Sequence, residues 1–369
     1  MQDRYRPLSS FSQKLRFLIG IQITIFDQFH DRLQSSLEAY LTMTSSIART
    51  IQSVSKEDQA NLQGVAGLKR LCRVYGSAEY LEKKMRDWSD DVVSHCAFYN
   101  TPWARTKLDW KLQFFLELWE ELQDRARRNT SKNLAGPMSI EDVAERTSSH
   151  VGSEGDSGAL FDETAGAYKR LRVRGEGIIQ DLLIYNMRES LRPYGRINPW
   201  SSLSSDDSNP ISLAITAELD APLQQLTSYL SYLSGALAAA PLRRIARQLS
   251  LSMQAYVWDH VLMRNTFSGS GSAQFSRDLT AILGGFDMYL GKGQGEMGMR
   301  KLKEGVGLLN LPMHTKEDST EGELALWEVE RRIFESNESA REVLQELGLE
   351  VISESEARHV LERRVELGS

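Results

Sequence analysis

PLRRIARQLSLSMQAYVWDHVLMRNTFSGSGSAQFSRDLTAILGGFDMYL, residues Pro241 to Leu290, is the stretch that decides the fold. Leu242, Ile245, Leu249, Met253, Tyr256 with Val257, and Met263 recur at steps of three and four, which places them on one stripe of a helix. Ser268-Gly269-Ser270-Gly271 then interrupts the period, and its glycines are expected to turn the chain through positive φ. Phe275, Leu279, Ile282 with Leu283, Phe286 and Tyr289 with Leu290 restart it. Two amphipathic stripes joined by a short turn predict an αα-hairpin, because each stripe needs an apolar partner.

Working outward, the same period fills most of the chain. Ser9 or Ser10 can cap a first helix reaching about Thr50, with Leu15, Leu18, Ile25 with Phe26, Phe29, Leu33, Leu37 and Tyr40 as its core stripe. The segment from Lys56 to Tyr75 reads as weaker helix because Gly64 and Gly67 interrupt it, and Ser77 is expected to cap a new helix carrying Leu81, Met85, Trp88, Val92 and Cys96. A fourth runs from Trp103 to Arg128. Residues 129–158 are polar and aperiodic, an expected surface insertion. Helix resumes near Ala159, weakens at Gly175 and Gly177, and strengthens from Ile178 to Leu191.

The polar run Ser201 to Asn209 is the expected boundary between two helical bundles, residues 1–200 and 201–369. Beyond it, Pro222 and Pro241 each sit where a helix begins, since proline's missing N–H costs nothing in the first turn. Leu223, Leu226, Leu230, Leu233 and Leu237 mark the helix between them. Gly291 to Gly295 is an expected turn, and Met297 to Leu309 an expected short helix ending at Pro312. Three short helices follow: one marked by Trp327 and Ile333, one by Val343, Leu344 and Leu347 and closed by Gly348, and one opened by Ser353 and Glu356 at capping-box spacing. A terminal helix capped in this way is expected to dock. Little material is left for strands, and the chain reads as all-α.

Composition fits that reading. Charged residues are 25% and hydrophobic residues 41% of 369, ordinary for globular protein and sufficient for more than one core. A net charge of −6 argues against a general nucleic-acid binder. From Met313 onward there are 7 Lys and Arg against 15 Asp and Glu, a net of −8, so the C-terminal segment is the acidic one. Two cysteines, Cys72 and Cys96, supply neither a disulfide framework nor a zinc site. The apolar run Phe17 to Phe26 is half the length of a membrane span and reads as a buried helix face.

No pattern points to catalysis, a cofactor, a metal or a small-molecule substrate. Gly291-Lys292-Gly293 lacks both the preceding strand and the Ser or Thr that a phosphate loop needs. His95 and Cys96, as helix neighbours, point apart, and His260 after Trp258-Asp259 reads as a hydrogen-bonded structural histidine. Three basic clusters are left. They are Lys169 to Arg174, then Arg243, Arg244 and Arg247, then Arg300, Lys301 and Lys303, and the last two are candidate contacts for an acidic partner or lipid headgroups.

Several landmarks resemble the Rad-fifty-interactor/Tip-twenty (RINT/TIP) family. They are Arg264-Asn265-Thr266-Phe267 before a small-residue turn, Gln274-Phe275, Asp278 and Phe286, together with Tyr80-Leu81, Asp87-Trp88-Ser89-Asp90, the exit Tyr194 to Trp200, and Arg363-Arg364-Val365 near the C-terminus. The resemblance implies an elongated rod of antiparallel helical bundles, the architecture of multisubunit tethers. It further implies a non-catalytic subunit for Golgi-to-endoplasmic-reticulum transport, cytoplasmic and peripheral on that membrane, that binds sister tether subunits and SNARE proteins there. It covers the C-terminal half of longer family members only, so partner contacts of their N-terminal half do not transfer. A helical scaffold in checkpoint or other regulation, without membrane traffic, is the alternative with the same sequence signature.

Overall fold

Helix is the only regular structure of the described residues. The computed structural model describes residues 13, 17, 21, 23–44, 62, 64–98, 162–203, 214–313 and 324–367, the side chains of 88–98, 162 and 163 apart. Among them are ten α-helices: α1 (Thr24–Thr44), α2 (Val65–Phe98), α3 (Asp162–Leu191), α4 (Asp220–Ala236), α5 (Ala239–Val257), α6 (Gly269–Leu290), α7 (Arg300–Leu309), α8 (Leu326–Glu335), α9 (Asn337–Glu346) and α10 (Glu354–Leu361). An isolated parallel bridge between Phe267 and Arg364 is the one β-type pairing among these residues. No helix among them is long and apolar enough to cross a membrane. The expected helix from 103 to 128, the insertion 129–158, and the packing of Leu15, Leu18 and Trp88 lie outside the described residues.

By contacts the chain divides into two compact units, and the division falls between Gly177 and Ile178, inside α3. The start of α2, as far as Leu68, counts with the second unit. The division does not coincide with the polar run Ser201 to Asn209, because residues 178–200 carry Met187, Leu191, Tyr194 and Trp200, all fully buried in the second unit.

In the first unit, α1 contributes Phe26, Leu37 and Tyr40, α2 contributes Leu71, Cys72, Tyr75, Ala78 and Met85, and α3 contributes Ala165, Tyr168 and Leu171. Ile25 and Phe29, expected in the core, are 45% and 40% exposed. Ile25 is rotated off the face that positions 26, 37 and 40 share, whereas Phe29 lies close to the face of Tyr40 and is exposed all the same. Ser77 does not cap a helix. It lies inside α2, which runs through Gly76-Ser77 because Tyr75 and Ala78 on either side are fully buried. That burial outweighs a glycine penalty of about 1 kcal/mol. Tyr168 donates to the Phe26 carbonyl at 2.6 Å, and buried Glu82 accepts from Arg86 at 3.2 Å and Arg172 at 2.7 Å.

The second unit packs α6 against α4, α5 and α7, with α8, α9 and α10 forming a cluster that meets α7 through α10. The expected stripes hold: Leu226, Leu230 and Leu233 on α4, Leu242, Ile245, Leu249 and Met253 on α5, and Phe275, Leu279, Ile282 and Phe286 on α6 are buried. After α5 the backbone widens into a π-helical turn, Trp258–Leu262, which buries Trp258, Val261 and Leu262. Ser353 and Glu356 form the capping box, and Gly348 closes α9 at φ +67°. Trp327 is 53% exposed and does not anchor α8, whose buried residues are Leu326, Val329 and Ile333.

Burial raises the hydroxyl pKa of Tyr75, Tyr168, Tyr194 and Tyr229 above the ordinary value of 10.0. Above that value the unfolded chain sheds protons that the folded chain keeps, so stability is complete below pH 10 and falls as pH rises further. Alkaline unfolding followed by circular dichroism is expected to show that decline, with a shallower slope in Tyr168→Phe. Equal slopes for the two proteins would show that Tyr168 does not contribute.

Candidate interaction surface

Most of the described landmark residues lie in the second unit, and the buried ones among them are structural. Trp200, fully buried, packs against Tyr194, Phe267 and Phe275 with ring centroids 5.8, 5.6 and 5.6 Å away. Asp278, on the otherwise apolar face of α6, is fully buried. Its carboxylate accepts from the Tyr194 hydroxyl (3.0 Å), the Thr216 amide (3.0 Å), the Thr216 hydroxyl (2.6 Å) and Gln274 Nε2 (3.1 Å). Burial and that carboxylate hold the Tyr194 hydroxyl protonated well above its ordinary range.

The C-terminus is stitched to the same place. Phe267 donates its amide to the Arg363 carbonyl at 2.7 Å and accepts from Val365 at 3.0 Å. Arg364, 3% exposed, donates to the Leu309 carbonyl, to Ser272 Oγ at 3.1 Å and to Glu366 at 3.1 Å. The terminal segment is therefore docked, as its capping predicted.

The turn before α6 works differently from the sequence expectation. Gly269 and Gly271 are not in the positive-φ region, which the described glycines 291, 293 and 348 occupy instead. Ser268 caps α6 by accepting from the Gly271 amide, and it holds the Trp200 carbonyl through its own amide (3.0 Å) and hydroxyl (3.2 Å). A Cβ on Gly271 would lie 1.9 Å from the Trp200 carbonyl oxygen, so glycine is needed there for close approach.

The residues weighed for ligand chemistry are occupied within the fold. The amides of Gly293 and Gly295 donate to the Asp287 carboxylate at 2.9 and 2.7 Å, so the turn holds a side-chain anion where a phosphate loop would hold phosphate. His260 stacks on Tyr256 at 4.3 Å with its Nδ1 3.1 Å from the Tyr256 carbonyl. Burial pushes the Cys72 thiol up to about 12. Among the described residues no group of three His, Cys, Asp or Glu is placed to hold a metal ion.

The candidate cations separate into two kinds. Arg243, Arg244 and Arg247 are exposed on the first half of α5. Arg300, Lys301 and Lys303 instead sit against acids of the same unit: Arg300 on Glu350 (2.5 Å) and Glu304 (3.3 Å), Lys301 on Glu356 (2.6 Å), and Lys303 on Glu296 (2.7 Å). Lys301 also lies 4.4 Å from the Trp258 ring centroid, where the ring face attracts a cation. Glu304 accepts from the amides of Val351 and Ile352 at 2.8 and 3.0 Å, so this side of α7 clasps the acidic C-terminal segment. In the first unit Arg172 and Arg174 are likewise paired, with Glu82 and Glu38. Sequence reading had Asp278 and Arg364 only as landmarks of the resemblance and assigned neither its buried hydrogen-bonding role, although a charged residue on an apolar stripe, as at Asp278, is a usable signal.

A profile of the RINT-1/TIP-1 family matches residues 1–94 and 104–364. Among solved structures, a chain of the crystal structure of the SNARE Sec20 bound to the Dsl1 complex subunit Tip20 matches with a TM-score of 0.44 at 17% identity. The match covers 92% of this chain and 58% of that one, so this chain spans little more than half its length.

Proposed function

The chain belongs to the RINT-1/TIP-1 family, and from that premise we propose that it is a vesicle-tethering subunit that works by holding partners and not by catalysis. The family match over residues 1–94 and 104–364 carries this reading. The proposed setting is Golgi-to-endoplasmic-reticulum transport, with the protein peripheral on the endoplasmic-reticulum membrane. Its proposed partners are SNARE proteins of that membrane and sister tether subunits. Helical bundles suit such work, because a stiff packed helix face can present a groove or a charge pattern to a partner helix.

Arg243, Arg244 and Arg247 are proposed contacts for an acidic partner or anionic headgroups. Their exposure supports this, whereas the pairing of Arg300, Lys301 and Lys303 with Glu350, Glu356 and Glu296 supports an internal clasp for that cluster.

The test is a pull-down of residues 1–369 against cytosolic portions of endoplasmic-reticulum SNAREs, with Golgi SNAREs as controls. Selective capture of the former is expected; no capture, or equal capture of both sets, would remove SNARE recognition from this part of the family. Alanine at 243, 244 and 247 together is expected to weaken SNARE or anionic-liposome binding several-fold. Unchanged binding of both would eliminate that cluster.

A further inference from the structure

A second basic surface, not evident as a cluster in the sequence, is built where the end of α3 meets α5. Arg188 Nε lies 3.2 Å from Ser252 Oγ, which brings the two helices side by side. Seven residues on, Gly195 lets the chain pass close to α5: a Cβ there would lie 2.9 Å from the Tyr256 hydroxyl and 3.4 Å from His260 Cβ. Glycine thus seats the Tyr194–Arg196 turn directly on the Tyr256–His260 stack.

The consequence is a group of exposed arginines. Arg188 lies on the last turn of α3, Arg192 in the turn after it and Arg196 at the end of the 3-10 turn Tyr194–Arg196, while Arg264 follows the π-helical turn Trp258–Leu262. All four are exposed. Burial raises the pKa of the Tyr256 hydroxyl, while the charges of Arg192, Arg196 and Arg264 oppose that rise, so all three act at one point of the surface. The acids nearby are fewer: Glu189 pairs with Arg192 at 2.9 Å, and Asp259 is exposed beside His260. Tyr185, 50% exposed and one turn before Arg188, offers an aromatic contact at the end of the group.

We propose that this group of arginines along the α3–α5 seam is a docking surface for an acidic segment of a protein partner. Charge carries the choice of occupant: four exposed arginines face Glu189 and Asp259, so the surface complements an acidic segment. Arginine's planar fork pairs a carboxylate through two hydrogen bonds, a geometry that rewards a fixed register more than a fluid headgroup layer does. The surface does not depend on the tethering reading, since it rests on charge and exposure alone.

The experiment uses the full chain and a fluorescent alanine-based helical peptide with Glu at every fourth position, against the same peptide with Gln. The Glu peptide is expected to bind, to weaken as ionic strength rises past about 0.15 M, and to lose about tenfold or more in affinity with Arg196→Glu/Arg264→Glu. Lys292→Glu/Arg331→Glu, at exposed cations elsewhere, is expected to leave binding unchanged. Circular dichroism checks the folding of each variant. If the reversal unfolds the chain, Arg196→Gln/Arg264→Gln replaces it, with a several-fold loss expected. Equal binding of both peptides, no binding of the Glu peptide, or an equal loss in both variants would overturn the proposal. So would phosphatidylserine vesicles that bind more tightly than the peptide and lose binding with the same reversal, since that would make the surface a lipid contact.

Discussion

Gly271→Ala is expected to destabilise the protein by about 3 kcal/mol or more, which for a unit of this size lowers the unfolding midpoint by roughly 6–12 °C. The added methyl would sit 1.9 Å from the Trp200 carbonyl oxygen, 2.7 Å from its carbonyl carbon and 3.0 Å from its Cα. All three are backbone atoms, so no rotamer change relieves the contact. Moving that carbonyl would break the bonds it accepts from the Ser268 amide and hydroxyl, and would drag Trp200 from its place among Tyr194, Phe267 and Phe275. Gly284→Ala in the same helix provides the contrast. Nothing lies within 4 Å of its added Cβ, so the change is expected to stabilise by about 0.5–1 kcal/mol through the lower entropy of the unfolded chain. Thermal unfolding of the two variants tests both. A midpoint for Gly271→Ala within a degree or so of the parent would mean that α6 and the Trp200 turn are not in contact as described.

Asp278→Ala is expected to cost on the order of 4 kcal/mol. Hydrogen bonds to a carboxylate contribute about 1.5–3 kcal/mol each and are not additive within a network. The side chain is fully buried, and its removal leaves the Tyr194 hydroxyl and the Thr216 amide without the acceptor they share. Asp278→Asn keeps one oxygen but turns an NH2 toward donors, so it is expected to fall between the parent and the alanine variant. Urea unfolding monitored by tryptophan fluorescence is suited to this, because Trp200 packs on Tyr194 and reports the site directly. Equal stability of the parent and Asp278→Ala would show that the four hydrogen bonds contribute nothing net.

These two positions also show how far the sequence can be read. Both lie on landmarks of the family resemblance; the sequence placed Asp278 on a helix, as it is, but read Gly271 as part of a turn, whereas it lies in the first turn of α6. What it did not reveal is their purpose. Gly271 read as a residue for positive φ, because a Ser-Gly-Ser-Gly run has that local meaning; the contact that requires it comes from Trp200, 71 positions earlier in the chain. Asp278 read as one more helix residue because its donors, Tyr194 and Thr216, arrive from segments 84 and 62 residues away.

The basic clusters make the same point from the surface. Arg243, Arg244 and Arg247 are as exposed as their spacing on an amphipathic helix required. Arg300, Lys301 and Lys303 look alike in sequence, but the segment after α9 and α10 itself fold back to supply Glu350 and Glu356 beside two of them. Arg188, Arg192, Arg196 and Arg264 formed no cluster in sequence, since 68 residues separate the last two and only the seating of Gly195 on Tyr256 gathers them.

By itself, then, the sequence determined the all-α class, the buried stripes of α4, α5 and α6, the capping box at Ser353, the stop at Gly348 and the family. Each of these follows from the 3.6-residue period, from the chemistry of a single turn, or from the order of landmarks along the chain. Only the tertiary structure decided that α2 runs through Gly76-Ser77, that the two units divide inside α3, which glycine must lack a side chain, and which cations are paired. Those outcomes depend on atoms brought together from distant positions, where burial and close approach outweigh local preferences of about 1 kcal/mol per residue.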